Sequence, residues 1–251
     1  MNDARPAGDP GLLEVRIERK AYGSALGQHV DVLRDLRFTL PRGEVGVLVG
    51  PSGCGKTTML RLIAGSDNDY EGTIVRPAAG KLAMVFQEPR LLPWRTVEDN
   101  VRLIAPRAEE TTLTMLFEVL ELDRHRSHYP GELSLGLARR VALARAFATD
   151  PDLLLLDEPF VSLDEALARR LQDELILLVE RRAVTTLLVT HDVDEAARLG
   201  DRLFLLSPRP AHVVAELPIG VPRRSRGADD IAAVKADIAR RNGNHAGPAA
   251  P

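Results

Sequence analysis

The sequence predicts an α/β domain built on a mostly parallel sheet, and three stretches carry that reading. The apolar run Val45-Gly46-Val47-Leu48-Val49 leads through a glycine-rich loop into a helical stretch over 59–64. Leu153-Leu154-Leu155-Leu156 is a continuous apolar run ending in Asp157-Glu158, the pattern of a strand covered on both faces. From 165 to 217 helical and strand patterns alternate. That order argues for a mostly parallel sheet with helices on both faces.

Taken in order, residues 1–11 are polar and contain Pro and Gly, and they read as a flexible N-terminus. Residues 13–18 alternate as a half-buried strand does, with Tyr22 just beyond its end. A second strand is expected over 32–40, then a turn at 41–44 into the run at 45–49. After the glycine-rich loop and its helix, 65–70 is a polar loop. Residues 72–76 and 81–86 read as a strand pair round a turn at 77–80. From 96 to 148 the periodicity is helical, with Thr96 as a cap for the first helix and further helices over 111–122 and 137–148. This predicts a helical subdomain, about 96–148, inserted in a domain spanning 12–220. A long helix follows over 165–182, a strand over 184–190, a helix over 193–199, and late strands over 202–206 and 212–217. Residues 221–251 form a tail too short for a domain, in which Ile231, Val234 and Ile238 can make a short amphipathic helix of one turn or two. No internal repeat is visible.

Composition excludes several classes. At 251 residues, with 27% charged and 45% hydrophobic residues, the chain reads as an ordinary soluble globular protein. A net charge of −3 gives no general drive towards nucleic acid or anionic lipid, and no nucleic-acid partner is expected. Of 33 basic residues only Lys20, Lys56, Lys81 and Lys235 are lysine, which reads as a coding bias towards arginine. Cys54 is the only cysteine, so there is neither a disulfide framework nor a cysteine zinc site. The N-terminus lacks the apolar region of a signal peptide, and no run approaches a membrane-spanning length. The expected location is cytoplasmic.

The chemistry centres on Gly50, Pro51, Ser52, Gly53, Cys54, Gly55, Lys56, Thr57 and Thr58, which fit G-x-x-x-x-G-K-[ST] between strand and helix. The glycines let the backbone turn several N–H groups towards one point, and the new helix adds its unpaired N–H groups and positive dipole end. Lys56 can then reach the β- and γ-phosphates of a nucleotide and the Thr57 hydroxyl can bind Mg²⁺. A dinucleotide loop fits only until Thr58 replaces the small third residue, and a hydrolase elbow fails because Cys54 stands where its last glycine belongs. Asp157, at the end of an apolar strand, can hold Mg²⁺ through its waters, and Glu158 is placed to polarise an attacking water. Gln87, at the end of the strand over 81–86, can join the Mg²⁺ shell or touch the water, or is an ordinary surface residue. His191, after the strand over 184–190, either bonds a γ-phosphate or caps and packs. Tyr22 either stacks on adenine or packs in the core. The turn around Ser134 and Gly136 just before a helix is a second anion-binding helix start, or simply a Ser-capped helix. Two phosphate cradles in one chain point to ATP held between two copies.

Together these residues resemble the ATP-binding subunit of an ABC transporter, over about 13–217. Gly50 to Thr58 resembles the Walker A loop and 153–158 the Walker B strand with its catalytic glutamate. Gln87 matches the Q-loop, Ser162-Leu163-Asp164 the D-loop, His191 the switch histidine and Tyr22 the A-loop aromatic. The resemblance implies a P-loop NTPase (ABC ATPase) fold with a mostly parallel core sheet, an antiparallel β part and the helical insertion. It also implies a head-to-tail dimer with ATP between Lys56 and its neighbours of one copy and Ser134 and Gly136 of the other, with Asp164 of the D-loop a further ATP-binding residue. A membrane permease and a solute-binding protein would complete the system, with the chain peripheral on the inner face of the membrane. The stretch 86–97, with Leu91, Leu92 and Trp94, is similar to that of importer ATPases for nitrate, sulfonates and taurine; these apolar residues suit a permease-docking groove or the core of the helical subdomain. Exporter, lipid-trafficking and non-transport ATPases of the same family are the alternatives, and an inactive regulator is a third reading. The signature motif departs from Leu-Ser-Gly-Gly-Gln: Leu135 replaces the first glycine and Leu137 the glutamine.

Overall fold

The structure is a computed structural model and describes residues 12–23, 29–77 and 80–245. The expected flexible stretch 1–11 lies outside the described residues, as do the two central residues of the turn at 77–80. Two sheets share the polypeptide. The larger has six strands: β3 (Val45–Val49), β5 (Leu82–Val85), β6 (Leu153–Asp157), β7 (Thr185–Thr190), β8 (Arg202–Leu206) and β9 (Val213–Pro218), in the order β5-β6-β7-β3-β8-β9. All neighbours are parallel except β8 and β9. Its central strands are buried along their whole length, which is why their sequences are continuous apolar runs and not alternating ones. The smaller sheet is antiparallel, in the order β2-β1-β4, and consists of β1 (Leu13–Gly23), β2 (His29–Leu40) and β4 (Glu71–Val75).

Alternation along the central strands divides the core into two layers. Val45, Val47, Leu154, Leu156, Leu188, Leu203 and Leu205 face one way, into a cluster shared with the helices α2 (Val97–Arg102), α3 (Glu110–Val119), α4 (Leu135–Ala148), α5 (Glu165–Arg182) and α6 (Val193–Leu199). Leu48, Leu153, Leu155, Leu187, Val189 and Phe204 face the other way, towards α1 (Lys56–Ala64) and the antiparallel sheet. Phe38 of β2 meets Phe204 with ring centroids 4.8 Å apart, joining the two sheets. One face of the large sheet is therefore covered by helices. The other is covered by a single helix and a second sheet.

Three expectations need correction. The stretches at 72–76 and 81–86 are both strands but not a pair. β4 joins β1 in the small sheet and β5 joins β6 in the large one, so the turn between them is a crossing from sheet to sheet. Tyr22 lies inside β1, paired with Val30, because the strand runs on to Gly23 through a register shift after Lys20. The C-terminal tail holds an 18-residue helix, α7 (Ala228–His245). It is docked by buried Ile238, by an ion pair from Lys235 to Asp194 of α6 at 2.8 Å, and by Arg226, which donates to the carbonyls of Ala197 and Arg198.

The helices between β5 and β6 follow their caps. The Thr96 hydroxyl accepts from the Asp99 N–H at the start of α2, and the Ser134 hydroxyl accepts from the Leu137 N–H at the start of α4, two residues before the expected start. Asn100 is fully buried and holds the preceding loop: its side chain accepts from the Leu92 N–H and donates to the carbonyls of Leu92, Arg95 and Thr96.

Candidate functional site

Because β3, β5, β6 and β7 are parallel, their carboxyl ends gather on one edge of the sheet, where open α/β sheets bind ligands. β3 runs there into residues 50–55, β5 towards Gln87, β6 into Asp157 and Glu158, and β7 into His191.

The loop from Gly50 to Gly55 has the geometry of an anion cradle. Gly55 has φ 127°, which a side chain strongly disfavours, and a Cβ there would stand 2.8 Å from Leu33 Cδ2 and 2.9 Å from Val32 Cγ1. Pro51, Ser52 and Gly53 are exposed, so the rim of the loop is open, while Cys54 and Thr58 are buried beneath it. No side chain caps α1 and its first turn has no acidic residue, which leaves the N–H groups there open to an anion. Burial pushes the Cys54 thiol up, and its role is that of a small residue below the turn. Lys56 is only 5% exposed. Its ammonium donates to the carbonyls of Gly50 at 2.8 Å and Pro51 at 3.1 Å and stands 3.6 Å from Glu158 Oε1.

Opposite the loop, Thr57 donates its hydroxyl to Asp157 Oδ1 at 3.0 Å. Asp157 is buried, and burial raises its carboxyl above the usual range by more than the Thr57 hydrogen bond lowers it; the neighbouring Glu158 charge adds to the rise. A cation between the two would relieve that penalty. Glu158 turns the chain sharply: its φ is 45°, and its N–H donates to the Val189 carbonyl at 3.0 Å. The turn aims its carboxylate between two groups, Lys56 on one side and His191 on the other, with Oε2 3.2 Å from His191 Nδ1. His191 is half-exposed. A cavity of about 820 Å³ opens beside Glu158 and His191 and is walled by α5, α6 and α7.

One acidic group in this region was missed by the sequence reading. Glu195 of α6 is buried, and its Oε2 accepts the Thr190 hydroxyl proton at 2.7 Å. The Thr190 oxygen in turn accepts from the Asp192 N–H at 2.9 Å, so Glu195 braces both residues that flank His191. Burial pushes its carboxyl up to about 7. The spacing D-x-x-E over 192–195 is the pattern of a helix start with reciprocal caps. Asp192 does cap α6, whereas Glu195 bonds Thr190.

The remaining expected residues stand apart. Gln87 is exposed two residues beyond β5, and the loop after it is held by Arg145, which donates to the carbonyls of Pro89 and Arg90 at 2.8 Å. Tyr22 is 40% exposed, which rules out core packing; its hydroxyl donates to Asp67 at 3.0 Å, and the Lys20 ammonium lies 4.5 Å from its ring centre. Ser134 caps α4, and Asp164 caps α5 by accepting from the Leu167 N–H at 2.9 Å. Gly136 is buried against α5: a Cβ there would fall 2.6 Å from Leu167 Cδ2. These three therefore lie together on a patch built by two helix starts. Among the described residues no hydrogen bond or ion pair links Ser134, Gly136 or Asp164 to residues 50–58. Leu135 on that patch is exposed, and Leu137 packs against the core cluster.

A phosphate loop facing a buried aspartate and a turned-out glutamate on the edge of a parallel sheet defines a P-loop nucleotide hydrolase. The comparisons with known proteins narrow the class. The family model described as ABC transporter matches residues 33–161. The aliphatic sulfonates import ATP-binding protein SsuB 2 of Pseudomonas syringae pv. tomato is 44% identical over 217 residues, covering 85% of this chain and 91% of its own. Its namesake in Burkholderia cenocepacia is 40% identical over 238 residues, covering 91% and 86%. A dimeric structure of a post-hydrolysis state of the ATP-binding cassette MJ0796, bound to ADP and Pi, superposes with a TM-score of 0.72 at 27% identity, covering 84% of this chain and all of that one. The chain belongs to the ABC transporter family and is one of its ATP-hydrolysing cassettes.

Proposed function

We propose that the chain drives import of a small solute of the sulfonate class by hydrolysing ATP between two copies of itself, docked on a separate membrane permease. One observation carries the two-copy reading: the loop at 50–58 and the patch at Ser134, Gly136 and Asp164 are both shaped for the task, yet among the described residues no hydrogen bond or ion pair joins them within one chain. A head-to-tail pair would bring each loop against the partner's patch. The dimeric cassette structures to which the chain is similar support this. The relatives named as aliphatic sulfonate import proteins support the direction and the solute class. No helix among the described residues is long and apolar enough to cross a membrane, which fits a subunit that works on a permease made of other chains. A solute-binding protein would supply specificity.

In this reading Lys56 exchanges the carbonyls of Gly50 and Pro51 for phosphate oxygens, and the N–H groups of 50–58 receive the rest of the phosphate charge. Thr57 and Asp157 would hold Mg²⁺, with Gln87 at its edge. Two hard oxygen donors beside a phosphate site suit that ion, which seldom has an all-protein cage. Bound there, Mg²⁺ would neutralise charge on the phosphates. Glu158 orients the attacking water, and His191 at 3.2 Å fixes the Glu158 carboxylate and approaches the γ-phosphate. Tyr22, exposed near the end of β1, offers a face to adenine. Trp94, exposed after Gln87, faces the permease, whereas Leu91 packs against the core of the neighbouring helices.

Reconstitution tests this. The chain, its permease and a binding protein loaded with an alkanesulfonate in proteoliposomes should hydrolyse ATP faster than without ligand and accumulate the sulfonate. Lys56→Ala should abolish both. Ligand-independent turnover with no uptake would contradict the import reading, and near-normal ATP binding by Lys56→Ala would contradict the loop assignment.

A further inference from the structure

Arg139 lies in the second turn of α4, three residues after Gly136, and is 6% exposed. Its guanidinium spans a gap between elements. Nη1 donates to the Pro159 carbonyl and Nη2 to the Val161 carbonyl, while Nε has no partner. Both acceptors sit in the loop that leaves Glu158. That loop holds two non-glycine residues in the left-handed region, Glu158 at φ 45° and Ser162 at φ 64°. Such backbone persists only where its surroundings over-determine it. The loop's own bonds are few: Glu158 to Val189, Val161 to Glu158 and Leu163 to Phe160. A planar fork reaching two carbonyls two residues apart fixes both position and orientation, which a single ammonium cannot do. Burial disfavours the guanidinium charge, and the Glu195 carboxylate favours it.

We infer that Arg139 is a positioning residue for ATP hydrolysis: its fork sets the loop that aims the Glu158 carboxylate and ties that loop to the helix start carrying Ser134 and Gly136. A shift of α4 when Ser134 meets the nucleotide on the partner copy is then felt at Pro159 and Val161, one residue and three residues from the water-orienting group. The two ATP sites of a dimer are thereby linked through each chain's interior. The inference rests on the hydrolytic role proposed for Glu158.

The test uses full-length Arg139→Lys, which keeps the charge and the stem but loses the fork, with Arg139→Gln beside it. Three quantities are read: ATP affinity, kcat, and amide hydrogen exchange over 158–163. ATP affinity should stay within about twofold of wild type because the loop at 50–58 is untouched, while kcat falls roughly tenfold, the worth of one charged hydrogen bond expressed as a rate. Exchange over 158–163 should quicken in both variants. A kcat within about twofold of wild type in either folded variant overturns the inference. So does a parallel loss of kcat, ATP affinity and melting temperature, or a failure of both variants to fold, since each marks a packing residue. If the wild type itself does not hydrolyse ATP, the proposed function fails, whereas the exchange measurement still reports whether the clamp holds the loop.

Discussion

Replacing Glu195 by glutamine should stabilise the protein, and by an amount that grows with pH. The carboxyl is buried and held at about 7 against an ordinary 4.5, chiefly by desolvation. Between those values the folded protein keeps a proton that the unfolded chain releases. Stability contributed by the protonated group is therefore complete below the unfolded value and is lost as pH rises through about 7. The full loss corresponds to about 3 kcal/mol, most of which develops between pH 5 and pH 8. Glutamine has nearly the same volume and its amide oxygen can still accept the Thr190 hydroxyl, so the hydrogen bond is conserved while the titration is removed. Urea unfolding of both proteins at pH 5 and pH 8 measures the difference directly. Glu174, which burial also pushes up to about 7, is common to both proteins and cancels. The variant should be close to wild type at the lower pH and clearly more stable at the higher. A stability difference that is flat with pH, or that favours wild type at pH 8, would refute the assignment of Glu195 as a buried, proton-retaining group.

Two other outcomes are expected. Gly55→Ala should cost on the order of 2–4 kcal/mol in denaturant unfolding, from a disfavoured φ and contact with Val32 and Leu33; a neutral substitution would show that the loop relaxes freely. Leu135→Gly with Leu137→Gln should raise ATP turnover while lowering stability by about 1–2 kcal/mol, because glycine weakens the first turn of α4 and Leu137 packs on the core. Unchanged turnover would show both leucines to be neutral.

Much of the site was legible because it sits at strand ends. The runs before Gly50 and Asp157 are apolar without alternation, and only a strand buried on both faces needs that, so the loop, Asp157 and Glu158 fall on one edge by topology. Pairing was less legible. The turn at 77–80 looks the same whether it closes a hairpin or carries the chain from β4 in one sheet to β5 in the other, since strand pattern reports burial and not the neighbour. The length of α7 is hidden in the sequence for a related reason. Its sequence supplies only a few apolar residues, and it is held by tertiary bonds such as Lys235 to Asp194, 41 residues apart. The buried polar residues were illegible altogether. Asn100, Arg139 and Glu195 look like surface positions until the partners that satisfy them are placed beside them, and for Arg139 those partners lie 20 and 22 residues away.

The proposed ATP site is divided between two copies of the chain. Glu158→Gln should slow hydrolysis while leaving the loop, Thr57 and Asp157 free to bind, so that ATP holds the pair closed. Light scattering coupled to size exclusion, with saturating ATP and Mg²⁺, should show this variant moving from a 27.5 kDa species to one of twice that mass. It should return to the smaller species when ATP is removed. A monomer under saturating ATP, with nucleotide bound, would contradict the divided site.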